Sequence, residues 1–178
     1  MSAISGGFDA SSLFAAVESR RVDDGLTWSG VARGVWDLST GLNSSRPGDH
    51  PFSTSSIKRL GEHGEIGCQH ALLLVWWLDA SPEDFIVDPD PVTIGVPLPG
   101  CDADHRLRWS IKRLFHSLDA ARARREATWA QVAGRLGCSP AQLTGLRTAR
   151  YTTNMRLALG ITQVLRRPAA DFIYPATW

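Results

Sequence analysis

The order of apolar and polar positions along the chain reads as helix almost throughout. Leu107, Ile111, Leu114, Phe115 and Leu118 recur at intervals of three and four, which places them on one face of a helix. Thr128 is a suitable N-cap for a short amphipathic stretch, Trp129 to Leu136, and Gly137 closes it. Ser139 caps a further helix with Pro140 in its first turn, where a missing N–H costs nothing, and with Leu143 and Leu146 on its buried side. A final helix, about Asn154 to Leu165, buries Met155, Leu159 and Ile161 and stops before Pro168. Residues 88–105 contain Pro89, Pro91, Pro97 and Pro99 and read as an extended linker. Val92, Ile94, Val96 and Leu98 alternate at period two there, so an ordered arm fits equally well; no other segment alternates as a strand would.

The pattern occurs twice. At an offset of 101, Leu13-Phe14 matches Leu114-Phe115, Arg21 matches Arg122, Thr27-Trp28 matches Thr128-Trp129, and Val31-Ala32 matches Val132-Ala133. At an offset of 87, Ala71 matches Ala158, Leu78 matches Leu165, and Asp84-Phe85-Ile86 matches Asp171-Phe172-Ile173. Between these blocks Ser53, Ile57 and Leu60 match Ser139, Leu143 and Leu146. The change of offset marks an insertion in the first copy, about residues 37–52, which includes Arg46-Pro47-Gly48-Asp49-His50-Pro51. Paired anchors kept in order point to duplication. The expected organisation is a first domain over 9–87, a linker over 88–105 and a second domain over 106–175.

Charge separates the copies. The chain has 178 residues and a net charge of +1, yet residues 1–104 hold six basic and fifteen acidic groups, whereas 105–178 hold thirteen basic and three acidic ones. A basic half suits a polyanion, nucleic acid first; it equally suits a solvated face or a dock for the acidic half. The clusters Arg106, Arg108, Lys112, Arg113 and Arg122, Arg124, Arg125 carry that ambiguity, as phosphate contacts, as partners for the acidic half, or as a helix end favoured by the macrodipole.

Other chemistry is thin. Seven Trp and six Phe demand burial and argue against disorder. No secretory signal is expected, and the longest apolar run, Ala71 to Leu78, is too short to span a bilayer. Three cysteines, Cys68, Cys101 and Cys138, form no even framework, which favours a reduced compartment. Cys68 with His63 and His70, and Cys101 with His105, lack the paired spacing of structural zinc sites. No phosphate-binding loop, nucleophile elbow or zinc-protease motif occurs. Asp79, Glu83 and Asp84 fit helix capping around a Ser-Pro-Glu-Asp turn better than acid–base chemistry. Of Trp76 and Trp77, one faces outward if the other alone is core. Neither catalysis, a cofactor nor a metal is expected.

The segment Thr128 to Arg150 resembles the helix-turn-helix of the lambda-repressor-like (Cro/CI, or XRE) family. Val132 and Ala133 in its first helix, Gly137 in the turn, and Leu143 and Leu146 in its second carry the resemblance. Physically, Ala133 is small where two helices cross and Gly137 permits a positive φ. The two leucines hold the second helix so that its other face can enter a major groove. The first copy is less regular: Val31 and Ala32 are in place, but Trp36 stands where the glycine should be. Its second helix is expected to run on through Leu42 or Asn43, with residues 53–60 as the recognition helix; 38–45 is the alternative.

The fold class this implies is all-α, with two such bundles in tandem on a proline-rich linker, similar to tandem XRE-type regulators of actinobacteria. The implied function is binding of double-stranded DNA to regulate transcription, in the bacterial cytoplasm at the nucleoid. In the second copy Pro140, Ala141 and Thr144 would face base edges, Ser139 and Gln142 would lie near phosphate, and Arg147, Arg150 and Tyr151 would meet the backbone. Ser53, Thr54, Ser55, Lys58 and Arg59 are the counterparts in the first copy, where Glu62 and Glu65 would repel phosphate. Two rival classes are a protein-interaction module working through the acidic domain, such as an antitoxin or a polymerase adaptor, and an architectural DNA binder without sequence choice. Two copies in one chain leave a homodimer or an intramolecular pseudo-dimer open.

Overall fold

Most helices begin where a side chain accepts from a free N–H of the first turn. The computed structural model describes residues 7–149 and 152–178. In chain order the elements are α1 (Ala10–Asp23), α2 (Trp28–Asp37), α3 (Thr40–Ser45), α4 (Thr54–His63), α5 (Cys68–Trp77), β1 (Arg106–Trp109), α6 (Ile111–Arg124), α7 (Trp129–Leu136), α8 (Pro140–Gly145), α9 (Met155–Leu165) and β2 (Ile173–Ala176). Single turns of 3₁₀ helix occupy Pro82–Phe85 and Ala169–Phe172. Asp9, Thr27, Ser110, Thr128, Ser139 and Asn154 accept from the N–H groups of Ser12, Gly30, Arg113, Gln131, Gln142 and Leu157, which satisfies donors that a helix leaves orphaned.

Single bonds recur at the matched positions of the two copies. In the first copy Arg21 pairs with Glu18 at 2.7 Å, donates to the Leu26 carbonyl at 2.9 Å and lies 4.8 Å from the Trp28 ring. In the second, Arg122 pairs with Asp119 at 2.7 Å, donates to the Ala127 carbonyl at 3.0 Å and lies 4.9 Å from Trp129. Phe14 stacks on Trp28 at 5.7 Å and Phe115 on Trp129 at 5.6 Å. Each arginine therefore braces the turn between two helices while its aromatic partners fill the gap beneath. Asp9 N–H donates to the Phe85 carbonyl at 2.8 Å, and Ser110 N–H to that of Phe172 at 2.7 Å. The antiparallel pair β1–β2 thus enlarges in the second copy what is one bridge, Phe8 to Ile86, in the first.

One hydrophobic core runs through both copies. Its centre is the meeting of α5 and α9, which are repeat mates. Cys68 N–H donates to the Thr153 carbonyl at 2.6 Å and Met155 N–H to that of Ile66 at 3.0 Å, on either side of the Gly67–Asn154 bridge. Ile66, Gly67 and Cys68 are themselves the mates of Thr153, Asn154 and Met155, so the two bonds exchange under a half-turn. Reciprocity of this kind defines an isologous contact, here made within one chain. Around it α5 is buried on nearly every side, including Ala71, Leu72, Leu74 and Val75 at 0% exposure. Trp77 is buried and Trp76 half-buried, with Arg20 stacked on Trp77 and donating to its carbonyl.

Four expectations change. Leu107 is not on the face of α6 but in β1, because Ser110 caps the helix only at Ile111 and the preceding backbone pairs with β2. The second helix of the first copy does not reach Leu42. It ends at Asp37, where Ser39 N–H and the Asn43 side chain take the Trp36 carbonyl, and α3 starts afresh. The period-two pattern of 92–98 produces no strand: Val92 and Ile94 face solvent while Thr93 is buried. That segment is anchored through polar groups, Asp90 N–H and Thr93 meeting the Gln163 side chain and Asp90 pairing with Arg166 at 2.8 Å. Last, Asp84 does cap its turn, but Glu83 is buried and accepts from the Ala169 N–H at 2.6 Å, joining the two 3₁₀ turns.

The insertion has a structural task. Arg106 is buried, pairs with Asp49 at 3.2 Å, donates to Ser39 and Asn43, and lies 4.3 Å from the Trp36 ring. Leu42 N–H donates to the Ala103 carbonyl at 3.0 Å. The inserted residues therefore form the socket for the start of the second copy. Burial alone would raise the Asp49 pKa, but hydrogen bonds from Arg46 and Arg106 bring it below its ordinary value.

Two outcomes follow for stability. Asp49→Ala strands the Arg106 cation in the interior and is expected to cost about 3 kcal/mol in urea unfolding, whereas Arg46→Ala, at a half-exposed pair, should cost under about 0.5 kcal/mol. Burial pushes the Glu83 pKa up, against the pull of the Ala169 N–H. An acid with a raised native pKa contributes its full stability below its unfolded value, and that stability is lost as pH rises through the native one. Glu83→Gln should therefore raise the urea midpoint at neutral pH and flatten its decline from mildly acidic to neutral conditions. A variant equal to the parent at both pH values would contradict this.

Candidate nucleic-acid interface

The segment α7–turn–α8 is built by three local devices. Gln131 and Thr128 cap each other at the start of α7, with Thr128 N–H donating to the Gln131 side chain at 2.8 Å. At its end Gly137 takes φ 63°, and the Ala133 carbonyl accepts from the N–H groups of both Gly137 and Cys138. The left-handed geometry turns the chain sharply at a residue without a Cβ. Ser139 and Gln142 then repeat the reciprocal cap, at 2.8 and 3.2 Å, and Pro140 occupies the first turn of α8. Leu143 and Leu146 are buried at 0% and 2% exposure beside Val132 and Ala133, while Ser139, Pro140, Ala141, Gln142, Thr144 and Arg147 are exposed.

These exposed groups have definite chemistry. The Ser139 hydroxyl and the Gln142 carbonyl are engaged in the cap, which leaves Gln142 its NH₂ group as donor. The Thr144 hydroxyl donates back to the Pro140 and Ala141 carbonyls, so toward a partner it offers a methyl and acceptor lone pairs. Among the described residues no carboxylate pairs with Arg147, nor with Lys112, Arg113, Arg124, Arg125, Arg135 or Arg156, all of them exposed. Arg122 is bound within its own fold, and Arg108 donates to the Trp178 carbonyl at 3.0 Å. Arg150 and Tyr151 lie outside the described residues.

The first copy differs. Ser53, Thr54, Ser55, Lys58 and Arg59 lie exposed at the start and along one side of α4, with Ile57 and Leu60 buried on the other. Both of these cations are paired: Lys58 lies 3.7 Å from Glu62 and Arg59 3.3 Å from Glu65. Exposed pairs of this kind add little stability, but they cancel the positive potential of the helix. Ser53 and Ser55 bind each other at 2.6 Å. Where α7 ends at Gly137, α2 runs through Trp36, whose ring lies under Arg106 instead of marking a turn.

Between α4 and the chain just before α9 lies a cleft of about 680 Å³, lined by Ser53, Ser55, Ser56, Arg59, Asn154 and Arg156 among others. His70 closes one side, bonded to Ser56 at 2.9 Å. Burial, then the nearby Arg108 charge, lowers the His70 pKa. Arg156 and Ser56 escaped notice in the sequence, since they become neighbours only when the copies pack. Burial pushes the Cys68 thiol up to about 11, holding it as a neutral thiol rather than the thiolate that binds metal. Among the described residues no group of three or more His, Cys, Asp and Glu is arranged to hold a metal ion. No family description, curated protein or solved structure matches the chain.

The turn itself can be tested. Gly137→Ala places a Cβ in left-handed geometry and is expected to cost about 1 kcal/mol although the space around it is open. Gly134→Ala, mid-helix with nothing nearby, should stabilise by about 0.5 kcal/mol. Urea midpoints that shift in the same direction for both would contradict this assignment.

Proposed function

We propose that the protein binds double-stranded DNA through helix-turn-helix units, as a bacterial regulator of transcription rather than an enzyme, with the second copy supplying most of the affinity. One observation supports this above the others. The exposed side of α8 combines small and polar side chains at its centre with Arg147 at its end, on a helix fixed from behind by Leu143 and Leu146. A partner needs such an arrangement to bring a short helix edge-on into a major groove while a cation meets the adjoining backbone. Ala141 and the Thr144 methyl suit a thymine methyl, and the Gln142 NH₂ group suits an acceptor. The acidic groups beside Lys58 and Arg59 make the first copy the weaker contributor.

Binding should weaken steeply as salt rises, because neutralised phosphates release counterions. Arg147→Ala is expected to reduce affinity by a similar factor on all duplexes and to lower the salt slope by about one. Lys58→Ala/Arg59→Ala together should cost less than Arg147→Ala alone. Fluorescence anisotropy on labelled duplexes across a salt series reads all three. Affinity unchanged between low and moderate salt would sink the reading. A protein partner retained after nuclease treatment, with no duplex bound at low salt, would replace it with an adaptor role.

A further inference from the structure

We propose that a single chain occupies a two-part duplex site, its two copies facing inverted half-sites as an intramolecular pseudo-dimer; this rests on the DNA-binding reading above. The observation that carries it is the reciprocal pair of bonds from Cys68 to Thr153 and from Met155 to Ile66 about the Gly67–Asn154 bridge. Each donor is the repeat mate of the other, and so is each acceptor. An approximate two-fold axis therefore passes between Gly67 and Asn154.

A half-turn keeps height along its axis unchanged. Under such an axis α4 and its mate α8 fall on opposite sides of it, with the components of their directions across the axis reversed. Ser53, just before α4, and Ser55, Ser56 and Arg59 within it line the same cleft as Gly67 and Asn154, so the exposed side of α4 opens beside the bridge through which the axis passes. B-DNA has dyads of its own, and two helices related in this way address half-sites in inverted order.

Two further facts bear on stoichiometry and on the form of the site. The isologous surface is consumed inside the chain: Cys68, Leu72, Met155 and Ala158 are fully buried, and the core is continuous across the junction. A second chain is not needed to complete the pair. The copies are also held in fixed relation by Arg106 in the Asp49 socket and by Glu83 on Ala169, so the spacing of the half-sites is set by the fold. The halves are nonetheless chemically unequal, with Arg147 lacking a carboxylate partner among the described residues and Lys58 and Arg59 paired. The site is expected to be an imperfect inverted repeat, tightly specified on the α8 side and loosely on the α4 side.

The test starts with the full chain and a pool of duplexes carrying a random core of about 30 base pairs, wide enough for two half-sites about one helical turn apart. The enriched sequence should be an inverted repeat with one half more constrained. Sedimentation of the protein with that enriched duplex should give one chain per duplex. Inserting about 5 base pairs between the halves turns them to opposite faces and should lower affinity at least tenfold. Two chains per duplex, a single half-site, a direct repeat, or an affinity indifferent to the insertion would each overturn the pseudo-dimer while leaving DNA binding in place. Binding without any enriched motif would overturn it in favour of architectural binding. No duplex retained at low salt would remove the DNA reading itself, and the pseudo-dimer with it.

Discussion

Two helix N-termini meet at the centre of this protein, and each would leave a buried donor unsatisfied without the other. The first N–H groups of a helix have no partner inside it, and Cys68 and Met155 are both fully buried. An orphan donor there would cost about 1–3 kcal/mol. Each instead donates to a carbonyl of the opposite copy, Cys68 to Thr153 and Met155 to Ile66. The remaining packing depends on that exchange. With their ends so fixed, α5 and α9 lie against each other, and α5 can be apolar on almost every side because no side of it needs water. Neither copy, taken alone, would bury that helix.

The duplicated parts have been kept or altered according to what they touch. The bracket of arginine, acid, tryptophan and phenylalanine that braces α1 to α2 recurs between α6 and α7 with distances that agree to about 0.1 Å. It is internal to each copy, so nothing outside it compels change. The positions facing the other copy or solvent have diverged. Trp36 replaces a turn glycine and lies under Arg106, and the insertion carries Asp49, the counter-charge that lets Arg106 be buried. The acidic character of the first half is partly spent on such pairings, Glu62 and Glu65 included, whereas Lys112, Arg113, Arg124, Arg125, Arg135, Arg147 and Arg156 of the second half are exposed.

How much could be read beforehand depended on the range of the interaction. The caps at Thr128 and Ser139, the glycine turn and the buried leucines are settled within a few residues, and they lie where the pattern placed them. The strand β1 was hidden because four residues have no pairing preference of their own; Arg106 to Trp109 became a strand through β2, far along the chain. The alternation at Val92 to Leu98 misled for a related reason. Period two shows which side chains share a side, but not which side is covered, and here the polar Thr93 faces Gln163. Glu83 looked like a capping residue, and only the approach of Ala169 gives it another role. Among the described residues no helix is long and apolar enough to cross a membrane.

The amino-acid sequence by itself determined the helical character, the duplication, the segregation of charge and the short capped helix with its exposed side, because each is a property of spacing or composition within one segment. The tertiary structure alone decided that the two copies share one core, joined by the reciprocal bonds from Cys68 to Thr153 and from Met155 to Ile66, and that the insertion is a socket for Arg106. These depend on groups distant in sequence meeting in a water-poor interior or across a surface. Burial and proximity set whether a charge is cancelled or presented there, and neither is encoded in local pattern.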